Sequence, residues 1–305
     1  MKTNTIFSLV FFLLYAGCCR PSVDPAKVFY TGARASNYGI RPFPEPDDWG
    51  RALRVMKSKF KDSKPALLWI LGTVARQRGV SVCNLNFPGN GKFEEGINHL
   101  LPFDGNKKYF EYFDKHGISV FIQVEPGTGD VLRLIDITLS RYKKYSCVVG
   151  FGVDIEWYKT KNTEGRGLMI DDKTAEIWEK RVKSYNPNYR LYLKHWLVEW
   201  FPPKYRGDII FVNDTQSKNE STYEDETFPT LEAMEKYYTK WAKHVYPNTV
   251  FLQIGYRLNH NLWGDMEEPI VEFGDALSKN IKQNYSIFWV DFTLQDVLPV
   301  RKKNS

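Results

Sequence analysis

The sequence predicts a single α/β domain of the (β/α)8 TIM-type barrel class, spanning 24–305 behind an N-terminal signal segment. Three observations carry this. Eight short runs rich in apolar, β-branched and aromatic residues recur along the chain, with helical spacing or capping residues between them. At 305 residues, eight such units favour a closed barrel over an open doubly wound sheet. The first run ends Thr31-Gly32-Ala33-Arg34, which is not GxGxxG, so an open dinucleotide-binding sheet loses its main support.

The predicted strands are 28–33, 66–71, 119–124, 148–155, 190–194, 208–212, 250–254 and 286–290. Helices are predicted at 48–60, 107–115, 130–142, 173–184, 230–245 and 268–283, the fifth opening at Thr230 after Pro229. After the fifth strand the helical pattern is broken by Pro202-Pro203.

Lys2 followed by an apolar run from Ile6 to Ala16 is too short to span a bilayer but suits a signal peptide over 1–18. Ala16-Gly17-Cys18 is similar to the end of a bacterial lipobox, which implies export and lipidation at Cys18; a secretory signal cleaved near Gly17 or Cys19 is the alternative. A secreted or cell-surface protein is expected, meeting a membrane only through such an anchor. The +6 net charge is spread along the chain, with its longest basic run at Arg301-Lys302-Lys303, so a nucleic-acid partner is not expected. Cys83 and Cys147 fall at opposite ends of the predicted barrel, which argues against a disulfide. Glycosylation triplets occur at Asn213, Asn219 and Asn284.

Alternate residues of a strand share a face. In the fourth strand Val149, Phe151, Val153 and Ile155 form the outer face, which leaves Gly150, Gly152, Asp154 and Glu156 inward, the last two at the C-terminal mouth. Active sites of this fold lie at that mouth. The same parity turns Gln123 and Glu125 inward on the third strand and Tyr192, Lys194 and Trp196 on the fifth. It turns Gln253 inward on the seventh, with Tyr256 just beyond. On the eighth, Phe288, Val290 and Phe292 are expected outward, and Trp289 and Asp291 inward; on the sixth either Asn213 or Asp214 points in. His195 has outward parity and reads as structural.

Asp154 and Glu156 are the candidate catalytic pair. Two carboxyls at i and i+2 of a strand lie roughly 6–7 Å apart at Cα. Their repulsion raises the pKa of one, leaving an acid beside an ionised partner, the division that glycoside hydrolysis requires. Glu156 would protonate the leaving oxygen, with Asp291, Glu125 or the substrate's own acetamido group as nucleophile or base. Gln123, Glu125, Lys194, Trp196, Asn213, Asp214, Gln253, Tyr256, Trp289 and Asp291 are the candidate substrate contacts, with Lys194 as an ion-pair partner holding Glu156 or Glu125 and the tryptophans as sugar platforms.

Gly152-Val153-Asp154-Ile155-Glu156-Trp157 resembles the strand-four DxxDxDxE signature of glycoside hydrolase family 18, the chitinases and endo-β-N-acetylglucosaminidases. The resemblance implies Glu156 as acid and Asp154 as the residue orienting an acetamido group. Val149 and Gly152 stand where that pattern has its two earlier acids. The D-x-E is equally similar to the family 25 muramidases, whose further acid on the first strand has no counterpart in 28–33. The five histidines form no HExxH and no cluster with cysteine, and no GxSxG is present, which disfavours zinc and serine hydrolases. A Mg²⁺ or Ca²⁺ among Asp154, Glu156 and Asp291 stays open; otherwise no cofactor is expected. The functions implied are cleavage of an amino-sugar polymer or glycan, non-catalytic carbohydrate binding, or a surface scaffold.

Overall fold

The computed structural model describes residues 28–60, 62–77, 79–160, 166–215, 227–298 and 300. The signal segment, Cys18, Cys19, Asn219 and the basic tail lie outside them. Eight parallel strands close a barrel: β1 (Val28–Ala35), β2 (Lys64–Gln77), β5 (Ser119–Val124), β6 (Val148–Asp154), β7 (Arg190–Lys194), β8 (Ile210–Asn213), β9 (Val250–Ile254) and β10 (Tyr285–Val290). The β1–β2 pairing completes the ring.

Around it stand α1 (Pro46–Lys59), α2 (Lys107–His116), α3 (Val131–Tyr142), α4 (Asp172–Tyr185), α5 (Leu231–His244), α6 (His260–Trp263), α7 (Pro269–Ser278) and α8 (Leu294–Val297). Asp130, Asp171 and Thr230 cap α3, α4 and α5 by accepting the backbone N–H three residues on, satisfying groups the helix leaves unpaired. Between β7 and β8 only the 3-10 turn Val198–Trp200 precedes Pro202-Pro203, so the prolines deny this unit its helix. No described helix is long and apolar enough to cross a membrane.

Two apolar clusters divide the molecule. The smaller fills the barrel with Tyr30, Ala66, Leu68, Phe121, Tyr192, Ile210, Val212, Phe251 and Phe288. The larger lies between barrel and helices. β6 follows its predicted alternation at Phe151, Val153 and Ile155, which pack toward the helices. Val149 departs from it: a register irregularity between β5 and β6 at this point turns Val149 toward the interior cluster.

β10 reverses the expected parity. Phe288 fills the interior, and Trp289 stands in the helix layer against Trp263 and Phe273, its indole N–H donating to Thr293. Ile287, Phe288, Trp289 and Val290 are apolar on both faces, so alternation alone offers no means to orient this strand. Trp289 is thus a packing residue, not a platform at the mouth. Trp289→Phe should cost roughly 1–2 kcal/mol in urea unfolding, through lost volume and the lost N–H bond, without altering sugar affinity.

An excursion absent from the sequence reading rises from the mouth. β2 runs beyond the barrel and turns back at Gly79 (φ 82°) into antiparallel β3 (Val80–Leu85), which pairs with β4 (Ile97–His99). Its buried Val82, Cys83 and Leu85 cover that side of the core, with Cys83 an unlinked thiol like Cys147. Asn213 is fully buried, so its triplet is closed to glycosylation in the folded chain, whereas Asn284 is exposed.

Candidate active site

The parallel strands bring their C-terminal ends to one mouth. Adjacent strands place Asp154 in register with Lys194, and Lys194 with Val212, two residues before Asp214. The barrel-facing sequence of β8 is Ile210, Val212, Asp214, which resolves the open choice on this strand in favour of Asp214. Asn213 instead accepts the Thr215 N–H at 2.7 Å and shapes the turn.

Lys194 is the centre of the site. Its ammonium lies 2.5 Å from Asp154 Oδ2, 2.6 Å from Asp214 Oδ2 and 3.8 Å from Glu156 Oε2. Glu125, the other partner considered for it, is held elsewhere. The Tyr38 hydroxyl donates to Glu125 Oε1 at 2.5 Å and the Val74 N–H to Oε2 at 2.8 Å, so the excursion's root fixes this carboxyl. Gln123 donates to Asp154 at 3.2 Å and accepts from the Tyr192 hydroxyl at 2.6 Å. Tyr192 needs the space that Gly152 leaves, because a Cβ there would overlap its ring. Gly152→Ala should therefore destabilise by about 1–3 kcal/mol in urea unfolding as the Tyr192–Gln123–Asp154 chain is displaced.

β6 ends at Asp154, and a 3-10 turn over Ile155–Trp157 carries Glu156. The i, i+2 strand geometry expected for the pair is thus replaced by a turn. Asp154 sinks among its partners and Glu156 keeps 18% side-chain exposure, against 2% for Asp154. Burial is the largest cause of the shifts in both, ahead of mutual repulsion. It pushes Asp154 up to about 7, with Lys194 opposing and Asp214 and Glu125 adding. Burial likewise holds Glu156 well above the usual carboxyl range, opposed by Lys194 and reinforced by Asp154, Asp214 and Glu125. Burial disfavours the charge on Lys194, yet Asp154, Asp214 and Glu156 raise its pKa well above the ordinary value. The expectation of one raised and one ordinary carboxyl is replaced by two raised ones, the shared ammonium lying closer to Asp154.

Asp291 stands apart from this group. It follows β10 and accepts from Arg34 Nη2 at 2.7 Å and from the Ser36 N–H and hydroxyl at 2.6 and 2.7 Å. Those bonds tie the ends of β1 and β10 and leave Asp291 a poor candidate for attack. They also remove it from the cation set considered with Asp154 and Glu156. Among the described residues no group of three or more His, Cys, Asp or Glu is arranged to hold a metal ion.

Gln253 is fully buried and its amide pairs with the Tyr256 hydroxyl. Trp196 is half-buried and stacked on His195. The His195 ring also stacks on Trp200, contacts the Arg166 carbonyl and receives the Leu197 N–H; burial holds its imidazole down to about 3, in keeping with a structural role.

Arg34 and Tyr38 are mouth residues that the strand reading missed. Arg34 lies beneath the Phe292 and Tyr38 rings, 4.4 and 5.4 Å from their centroids. The signal was present in the first strand, where Tyr30 faces the interior and Gly32 and Arg34 share its parity.

No protein-family model matches the chain, and no curated protein does. Among solved structures, a Parabacteroides merdae beta-glucuronidase is similar at 10% identity and a TM-score of 0.45, over 86% of this chain and 31% of that one. This chain therefore spans about a third of that protein. A GH5-4 broad-specificity endoglucanase from an uncultured bacterium is similar at 12% identity and a TM-score of 0.44, over 88% of this chain and 87% of the other. An intracellular xylanase from Thermoanaerobacterium saccharolyticum is similar at 11% identity and a TM-score of 0.33, over 88% and 90%.

Proposed function

We propose that the chain is an exported glycoside hydrolase that cleaves a glycosidic bond in an amino-sugar-containing polysaccharide or glycan. The observation that carries this is Glu156: a partly exposed carboxyl at the barrel mouth, held above the usual range by its surroundings and lying just outside the Asp154–Lys194–Asp214 cluster. A carboxyl protonated near neutral pH is what a departing sugar oxygen requires.

In this reading Glu156 gives its proton to the leaving oxygen as the bond to the anomeric carbon breaks. Lys194 holds Asp154 in place, and Asp154 supports Glu156 and the positive charge that develops on the sugar. Water supplies the oxygen that ends on the anomeric carbon, and the proton it releases returns Glu156 to its acid form. With Asp291 engaged by Arg34 and Ser36, and both Glu125 oxygens taken by Tyr38 and Val74, the sugar's own acetamido group remains as the source of assistance to that attack. Trp196, Tyr256 and Gln253 contribute the substrate contacts.

A non-catalytic carbohydrate-binding barrel is the second reading, favoured by the way Lys194 occupies both Asp154 and Asp214. Incubating the purified protein and Glu156→Gln with chitin, peptidoglycan and N-glycans separates the two. Cleavage by the wild type alone supports the enzyme; binding by both without cleavage supports the second reading. Export and lipidation at Cys18 are tested by the mass of the mature N-terminus and its partition into detergent.

A further inference from the structure

The hydrogen-bond inventory of the mouth is unbalanced. Asp154 Oδ1, Asp214 Oδ1 and Gln253 Oε1 are buried acceptors with no partner among the described residues, and their residues are 1%, 4% and 0% exposed. They stand at the ends of β6, β8 and β9, on the barrel face. Asn213 Nδ2 is a buried donor without a partner among the described residues, but it lies on the strand face opposite Asp214; the other neighbouring donors are already directed elsewhere. The Lys194 ammonium is shared by Asp154, Asp214 and Glu156, and the Gln253 amide goes to Tyr256. Arg34 Nε is a buried donor without a partner, but Asp291 matches its charge and Phe292 and Tyr38 cover its faces.

Buried acceptors left unpaired are costly, so a ligand that completes them must bring donors. Sugar hydroxyls do. A carboxylate brings none, and it would add negative charge beside Asp154 and Asp214, which already share the one ammonium of the group, and beside Glu125. We infer that this mouth accepts sugars bearing hydroxyls and no acid group, and rejects sugars that carry a carboxylate. The inference rests on the carbohydrate reading above and narrows it: neutral N-acetylhexosamine glycans fit, whereas uronic-acid polymers do not. The chain's +6 net charge acts oppositely, drawing polyanions to the surface at long range, so the rejection is local to the mouth.

Titration calorimetry with three tetrasaccharides tests this, using the wild-type protein and, where it turns a probe over, Glu156→Gln. The probes are N-acetylchitotetraose, a hyaluronan tetrasaccharide, and the same hyaluronan tetrasaccharide with its carboxylates reduced to alcohols. Expected is binding of N-acetylchitotetraose and of the reduced probe at least about tenfold tighter than the acidic parent. Parent and reduced forms within about threefold of each other would overturn the inference, including the case in which both are weak and N-acetylchitotetraose binds, since linkage would then decide. Cleavage of an acidic glycan overturns it while leaving the glycosidase reading intact. If no probe binds and no polymer is cleaved, both readings fall.

Discussion

Replacing Glu156 by glutamine should cut cleavage by about 10²–10⁴-fold and leave the barrel folded. Glutamine preserves the shape of the side chain but carries no transferable proton. Loss of a general acid lowers turnover by about 10²–10⁴-fold. Folding should be spared because Glu156 is partly exposed and only 3.8 Å contact ties it to Lys194. Its pKa is raised, so the neutral amide mimics the acid form that the folded state already favours. Substrate binding should persist. The pH profile supplies an independent check. An acid must be protonated to act, so wild-type turnover should fall as pH rises through the Glu156 pKa, and this limb should lie well above the ordinary carboxyl range. Residual turnover in Glu156→Gln should lack it. Measured turnover, substrate affinity and thermal melting decide the matter; unchanged turnover would remove Glu156 from the role of acid.

Lys194→Met should be the most damaging single change to stability in the mouth. It removes the ammonium shared by two buried carboxyls, Asp154 and Asp214, and leaves the volume nearly filled. Breaking a buried ion pair from one side costs about 3–5 kcal/mol, because the remaining charge stays buried without compensation. The defect should depend on pH with a definite sign. Asp154 already titrates at about 7 with Lys194 in place, and without it the folded-state value must rise further. An acid whose folded pKa lies above its unfolded value loses stability as pH rises between the two. The unfolded value is common to both proteins, so the gap between wild type and Lys194→Met should stay nearly flat below pH ~7 and widen as pH rises from there toward the variant's higher folded-state value. Urea unfolding across that range measures it. Adding Asp154→Asn and Asp214→Asn to Lys194→Met should recover most of the loss at neutral pH. A uniform deficit at every pH would show that packing, rather than charge, accounts for the cost.

The sequence by itself determined the barrel and the location of its mouth. Alternating strands and helices specify a parallel sheet, and the contrast between Gly150, Gly152 and Asp154 and the bulky Phe151 and Val153 orients β6 without further information. That contrast is a local property of period two. Where it is absent the orientation was not legible. β10 is apolar on both faces, so alternation there does not show that Trp289 faces the helices, and nothing local to the β2–β3 hairpin shows that it stands outside the barrel. Arg34 was visible by parity but had no partner in sequence to give it meaning. Tertiary structure decided the partners. Strand register sets Lys194 beside Asp154 and Asp214, the ends of β1 and β10 join through Arg34 and Asp291, and the turn after β6 leaves Glu156 nearer to water than Asp154. Proton affinity follows from those arrangements, because burial and the distance to neighbouring charges are set by segments far apart in the chain.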